Sequence, residues 1–443
     1  MMLLGLSPAL IAPPALAAVF DDAATIQAML DFERALAMAQ AGCGVIPADA
    51  AGPISAACHA SLYDPARLAT AARLGGTVAI PLAKALGERV RATDPAAAGW
   101  VHFGATSQDV VDTALVLQLR RASMLLLDSA TRLADTLRHR VRRHATTPML
   151  GRTLMQPGPP ITFGLKAAGW LGAIERGAAR VQSAGEAAFV LQFGGAVGTL
   201  AALGEHGPAV SAALGATLGL PVPPAPWHGH RDRLAAFASA VVILGMSCGK
   251  IARDITLLMQ AEVAEVAEPG GAGRGGSSTM PHKRNPVASV TALAAANRLP
   301  GLLASVMAGM VVEHERGAGP WQAEAGLHAE VCLAAGGALA AIEEAIGGLS
   351  VDPAAMARNI ANLRGLVMAE RLMLALAPVI GRTEAHTLVE ALVTRCVGET
   401  TLQQVAAAEP RVSTHVPDLD TIFDPAGYLG STATFIRQTL GES

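Results

Sequence analysis

Leu234, Phe237, Val241, Leu244, Cys248, Ile251, Ile255 and Leu258 alternate steps of three and four residues without a miss. That spacing keeps one apolar stripe on one side of an α-helix, and so long a stripe needs a partner helix along its length. The pattern predicts a helix over 232–268, about 50 Å long at ~1.5 Å per residue. A rod of that length exceeds what a compact domain needs and points to packing between subunits as well as within one. A second is expected over 113–144, where Leu115, Leu119, Ala122, Leu126, Leu133, Leu137 and Val141 share a face. Others are expected over 287–312, bent near Pro300, and over 323–346.

The rest of the chain fits the same class. Hydrophobic residues make up 51% of the 443 but aromatics only 3%, so the core must be built from Ala, Leu, Val and Met. Such a composition favours close-packed helices over sheets. An amphipathic helix is expected after Asp21-Asp22, carrying Met29, Leu30, Leu36 and Ala37 and closing at 42–47. No internal repeat appears, and no alternating pattern is long enough for a major sheet. The expectation is an all-α chain: an N-terminal helical domain over 1–112, a central long-helix bundle over 113–350 and a C-terminal helical domain over 351–443.

Charge narrows the partners. At −3 overall, the chain attracts neither nucleic acid nor an anionic membrane, and an anionic substrate must be held by a local cluster of cations. Five scattered cysteines (Cys43, Cys58, Cys248, Cys332, Cys396) form no metal-ligand spacing and read as free thiols of a reducing, cytoplasmic compartment. Residues 1–19 are apolar, but the first basic residue is Arg34 and prolines interrupt the run, so no signal peptide is expected. No other stretch reads as long, apolar and charge-free enough to span a bilayer.

The chemistry concentrates in Gly275-Gly276-Ser277-Ser278-Thr279-Met280-Pro281-His282-Lys283-Arg284-Asn285-Pro286, reached through a Gly/Pro-rich approach from Pro269. Prolines block a regular helix here, so hydroxyls, a lysine, an arginine and an amide sit on a polar loop between long helices, a common placement for binding or catalysis. Gly271, Gly273 and Gly276 match GxGxxG formally, but no strand precedes and no helix follows at once. A dinucleotide reading therefore fails. With no Walker loop, HExxH or ligand cluster, neither cofactor nor metal is expected.

Residues 276–286 fit every fixed position of Gly-Ser-Ser-x-Met-Pro-x-Lys-x-Asn-Pro, and the chain thereby resembles the fumarase/aspartase superfamily. His102-Phe103-Gly104-Ala105-Thr106-Ser107-Gln108-Asp109, Leu191-Gln192-Phe193-Gly194-Gly195-Ala196, Pro226-Trp227-His228 and His314-Glu315-Arg316 extend the likeness from about Phe20 to the C-terminus. Within the superfamily the chain looks most like bacterial carboxymuconate cycloisomerases. The resemblance implies a homotetramer with shared active sites and a small polycarboxylate substrate. It also implies proton transfer at a carbon beside a carboxylate, through an aci-carboxylate carbanion. Such an intermediate needs an acid/base at carbon and fixed positive dipoles around the carboxylate oxygens.

By the same resemblance Ser277 is the acid/base, Lys283 and Asn285 hold the substrate carboxylate and Ser278 lies on the substrate side, with Met280 shaping the loop. A serine base needs its alkoxide stabilised, which Lys283 and the loop amides can supply. Thr106, Ser107 and Arg316 match carboxylate-binding positions; for Arg316 a surface ion pair with Glu313 or Glu315 is the alternative. His102 is a candidate for binding or for an acid role, against a structural one beside Trp100. Arg152, Thr153 and Gln156 belong to the stretch 151–157, where the chain departs from its relatives. Many lyases carry Thr-His there, the histidine protonating the leaving group, and this chain has Leu154. An apolar side chain cannot do that, which favours lactonisation, whose reacting carboxylate works ionised. His230 is a second departure, while Trp227 and His228 read as helix-capping residues. An adenylosuccinate-lyase-like elimination and a non-catalytic relative stay as alternatives.

Overall fold

The apolar seam does form a helix, but it stops at Leu258, ten residues short of the expected end. Ala264 takes a left-handed backbone conformation and the Glu265 amide folds back onto the Leu258 carbonyl at 3.0 Å. This turn delivers Glu265, fully buried, to a bidentate pair with Arg152. The requirement to pair a buried carboxylate overrides the helical pattern.

The structure is a computed structural model describing residues 11–271, 274–276, 279–280 and 282–442. Its principal elements are α1 (Asp22–Gly42), α2 (Ser107–Arg143), the hairpin β1 (Pro148–Thr153) and β2 (Gln156–Thr162), α3 (Phe163–Ala188) and α4 (Asp232–Leu258). Then come β3 (Val266–Ala267), α5 (Val287–Ala308), α6 (Leu327–Gly347), β4 (Ser350–Val351), α7 (Ala369–Ile380) and α8 (Arg382–Thr394). The fold is all-α, its described strands limited to two antiparallel pairs, β1–β2 and β3–β4. Asp21 caps α1, its carboxylate accepting from the Ala24 amide at 2.7 Å. Pro300 lies inside α5 as expected.

The chain resolves into two compact units: 1–131, 176–249 and 291–341 form the first, and 132–175, 250–290 and 342–443 the second. Helices α2, α3, α4, α5 and α6 each give residues to both. In the first unit, Leu234, Phe237, Val241, Leu244 and Cys248 are buried. Small residues let the rods approach. A Cβ at Gly245 would come within 2.5 Å of Leu299 on α5 and 3.1 Å of Ala335 on α6, and one at Gly249 within 2.7 Å of Ala296. In the second unit, the C-terminal helices close over Leu372, Leu376, Ala385, Leu392, Leu402 and Val412.

One expectation is overturned: by length and composition Asp232–Leu258, Val287–Ala308 and Pro320–Gly347 each suffice to cross a membrane. Helices built from Ala, Leu and Val to fill an aromatic-poor core reach the hydropathy of a membrane span. In the first and third, 67% and 72% of the apolar window is buried inside the protein, which covers them without lipid.

The tight α4–α5–α6 contact yields a check. Gly245→Val should cost about 1–3 kcal/mol, since two methyl groups must fit where one Cβ already collides; urea unfolding would read the loss.

Candidate active site

In the first unit, the N-terminus of α2 organises the site. Asp109, the third helical residue, accepts from the Thr106 amide at 2.9 Å, half of a capping box. The same carboxylate, fully buried, accepts from the amides of Gly194 (3.0 Å) and Gly195 (2.9 Å) and lies 2.7 Å from His228 Nε2. Three loops distant in sequence thus converge on one anion. Gly194 must be glycine: a Cβ there would meet Pro226 at 2.7 Å and His228 at 2.8 Å. His228 and Trp227 therefore tie loops together; the indole of Trp227 donates to the Leu191 carbonyl at 3.0 Å.

Arg316 docks on this assembly. It donates to Thr106 Oγ1 (3.0 Å) and to the carbonyls of Gly195 (3.3 Å) and Ala196 (3.0 Å). These are neutral acceptors, and the alternative ion pair with Glu313 or Glu315 does not form; Glu313 instead accepts from the Ala318 amide. The buried Nε of Arg316 has no hydrogen-bond partner. The guanidinium charge is thus met by neutral acceptors alone, and one buried donor is left unpaired. Ser107 opens α2 beside it, partly exposed.

His102 sits in the same turn, four residues before Thr106, with φ at +59°. Its Nδ1 lies 2.5 Å from the carboxylate of Glu33 on α1. One residue on, the Phe103 carbonyl accepts from Gln40, also on α1, at 2.6 Å. Burial pulls the imidazole's pKa down, but the charge and hydrogen bond of Glu33, helped by Asp109, outweigh it and hold His102 above its ordinary value.

Behind these loops Arg231 is sandwiched between two carboxylates. It donates to Asp112 at 2.6 and 3.1 Å and to Glu324 at 2.6 Å, with its guanidinium 5.1 Å over the Trp227 ring. Asp112 also accepts from Trp321 (3.1 Å) and Gln108 (3.0 Å). A cavity of about 1150 Å³ opens on the Asp112–Arg231–Glu324 side of this network. None of His102, Thr106, Ser107 or Arg316 lines it, so size does not make it the substrate site.

The second unit holds the remaining expected residues. Its signature loop folds on itself: Gly276 bridges Arg284, and the Asn285 amide donates to the Gly275 carbonyl at 2.8 Å. Glu268 pins the loop's root, accepting from the amides of Ala288 and Ser289 at the start of α5. Met280 and Lys283 are exposed and Asn285 half-buried; Ser277 and Ser278 lie outside the described residues. Arg152 is bound bidentate to Glu265, so its charge is matched by a buried carboxylate. Thr153 and Gln156 pair at the end of the β1–β2 hairpin and are exposed. Between them Leu154 (96% exposed) and Met155 (69%) both have positive φ, at +52° and +65°.

Sequence reasoning missed Asp109, Asp112, Arg231 and Glu33 as site-builders. Only Asp109 carried a legible sign, Thr106-x-x-Asp109 being a capping-box spacing. Removing the Arg231 charge takes the cation from buried Asp112 and leaves Glu324 only His328, 3.8 Å away. Arg231→Gln should therefore destabilise the protein by about 3–5 kcal/mol, read from the urea midpoint.

A family described as Lyase matches residues 11–301, and the adenylosuccinate lyase C-terminus matches 365–439. The 3-carboxy-cis,cis-muconate cycloisomerase of Pseudomonas aeruginosa is 51% identical over 431 residues, covering 96% of this chain and 93% of that protein. A nitrosuccinate lyase of Streptomyces davaonensis is 39% identical, covering 98% and 94%. The crystal structure of 3-carboxy-cis,cis-muconate lactonizing enzyme from Pseudomonas putida superposes with a TM-score of 0.94 at 46% identity, covering 98% of each chain. Signature loop, helical fold and full-length similarity agree: the chain belongs to the lyase family of the fumarase/aspartase superfamily.

Proposed function

We propose that the chain is a cycloisomerase closing 3-carboxy-cis,cis-muconate to 4-carboxymuconolactone. The observation that carries the reading is the carboxylate receptor of the first unit. There Arg316, fixed by Thr106 and the 195–196 carbonyls, keeps a buried donor unused. Relatives at 51% and 49% identity bearing that activity in their names support the choice of substrate.

In this mechanism one carboxylate of the substrate adds through oxygen to a double bond of the same molecule. The electron pair of that bond moves toward the carbon beside another carboxylate, which takes up the charge as an aci-carboxylate. Arg316, Thr106 and Ser107 hold carboxylates, and Lys283 and Asn285 supply further positive dipoles. Ser277 then delivers a proton to carbon. Because ring closure is intramolecular, holding the diene folded supplies much of the rate. The exposed, apolar Leu154–Met155 tip offers no acid for a leaving group, and lactonisation needs none. Elimination remains the second reading, favoured by the match to the adenylosuccinate lyase C-terminus and by the nitrosuccinate lyase relative.

The assembly we propose is a homotetramer. Met124 on α2, Ile243 and Met246 on α4, and Val290 and Met307 on α5 are exposed apolar side chains on long rods, which supports burial against other copies. The five free thiols support a cytoplasmic setting.

Loss of diene absorbance on adding purified protein to 3-carboxymuconate tests the activity; fumarate release from a succinyl adduct with no loss of absorbance would select elimination instead. Ser277→Ala should lower turnover by about a hundredfold or more with the helical circular dichroism intact. Ile243→Glu should split the tetramer, seen as a drop in mass by light scattering.

A further inference from the structure

Glu33 is an ionisable group in an unusual place. It lies on the core face of α1, next to Phe32 and one turn before Leu36 and Ala37, with only 2% of its surface exposed. A carboxylate so placed costs free energy that an apolar residue of similar size would avoid. Its side-chain hydrogen bond goes to His102 Nδ1, at 2.5 Å. Gln40 stands two turns along the same face and grips the next peptide at the Phe103 carbonyl. Together they clamp a histidine in a left-handed conformation, itself disfavoured for a residue with a Cβ. Two costs converge on one turn, four residues from the Thr106–Arg316 receptor.

The clamp fixes the ring's chemistry. An ionised carboxylate only accepts hydrogen bonds, so Nδ1 must carry a proton toward Glu33, and Nε2 is left to gain or lose the other. The charged groups bearing on His102 are Glu33 from α1 and Asp109 from α2, both anionic. Cys58, beside Glu33, is pushed up to about 12, first by burial and then by the Glu33 charge, and stays a neutral thiol. Nothing in this set favours the neutral ring except burial.

We propose that Glu33 is a positioning residue that keeps His102 an imidazolium, making it a second fixed cation for a substrate carboxylate beside Arg316. The inference rests on the polycarboxylate reading of the site and goes beyond it by giving His102 a charge state and Glu33 a role in maintaining it. Binding should be strongest while Nε2 is protonated and weaken as pH rises through the midpoint for His102. Removing the Glu33 charge leaves burial dominant and moves that midpoint toward acid.

The test uses the full-length protein and tricarballylate, a saturated tricarboxylate that cannot lactonise. Affinity is measured by calorimetry between about pH 6.5 and 9.5. Wild type should lose affinity through a single midpoint. In Glu33→Gln that midpoint should fall by about one pH unit or more, lowering affinity on the alkaline side about tenfold. Glu33→Asp, which keeps the charge, should lie between. His102→Gln should bind weakly with that midpoint gone, and circular dichroism reports whether each variant is folded. An unmoved midpoint in folded Glu33→Gln, a midpoint persisting in His102→Gln, or no binding by wild type at any pH would overturn the proposal. A protein that shows the shift yet turns over no 3-carboxymuconate would sink the cycloisomerase reading and leave this one standing.

Discussion

The receptor in the first unit depends on the buried carboxylate of Asp109. It accepts from Thr106, Gly194 and Gly195 and pairs with His228, so three loops share one anion. Each of those loops also reaches an arginine. Thr106 and the 195–196 carbonyls hold Arg316, and Trp227 stacks against Arg231. A carboxylate in this position cannot be swapped for an amide without turning an acceptor into a donor against at least one backbone N–H. Charge complementarity, more than apolar packing, therefore sets the relative placement of the binding groups.

Alternation is visible in the way buried charge is handled. Arg231 lies between Asp112 and Glu324, Arg152 holds Glu265, and Glu33 faces His102, each cation matched to an anion inside the protein. Arg316 alone of these arginines is fixed by neutral oxygens. Arg140 and Arg371 are also held by backbone carbonyls; Arg316 differs in its buried Nε, which has no hydrogen-bond partner.

Much of this was legible from sequence, for identifiable reasons. The three-and-four spacing from Leu234 to Leu258 announced a buried helix because only a helix puts those residues on one side. The signature loop and the Thr106-Ser107 stretch announced the family through resemblance. What stayed hidden were pairings over long sequence separations. The Arg152–Glu265 pair was one of these, because Glu265 sat inside what read as continuing helix. Glu33 looked like one polar position on an amphipathic helix because nothing local says that a turn about seventy residues away brings His102 against it. The β1–β2 hairpin was missed for a different reason: Pro157, Pro159 and Pro160 disguise a strand that tolerates them.

The hairpin's tip has an implication for anyone wishing to make the enzyme hardier. Two-residue turns with both positions left-handed are the natural home of Asn-Gly, and Leu154-Met155 forgoes that ease while facing outward. A consensus-guided rewrite of these two residues would gain heat tolerance at the first attempt. It would also erase a greasy, hydroxyl-free and acid-free surface, so a thermostability screen blind to reaction type would select against the feature that sets this chain apart from its histidine-bearing cousins.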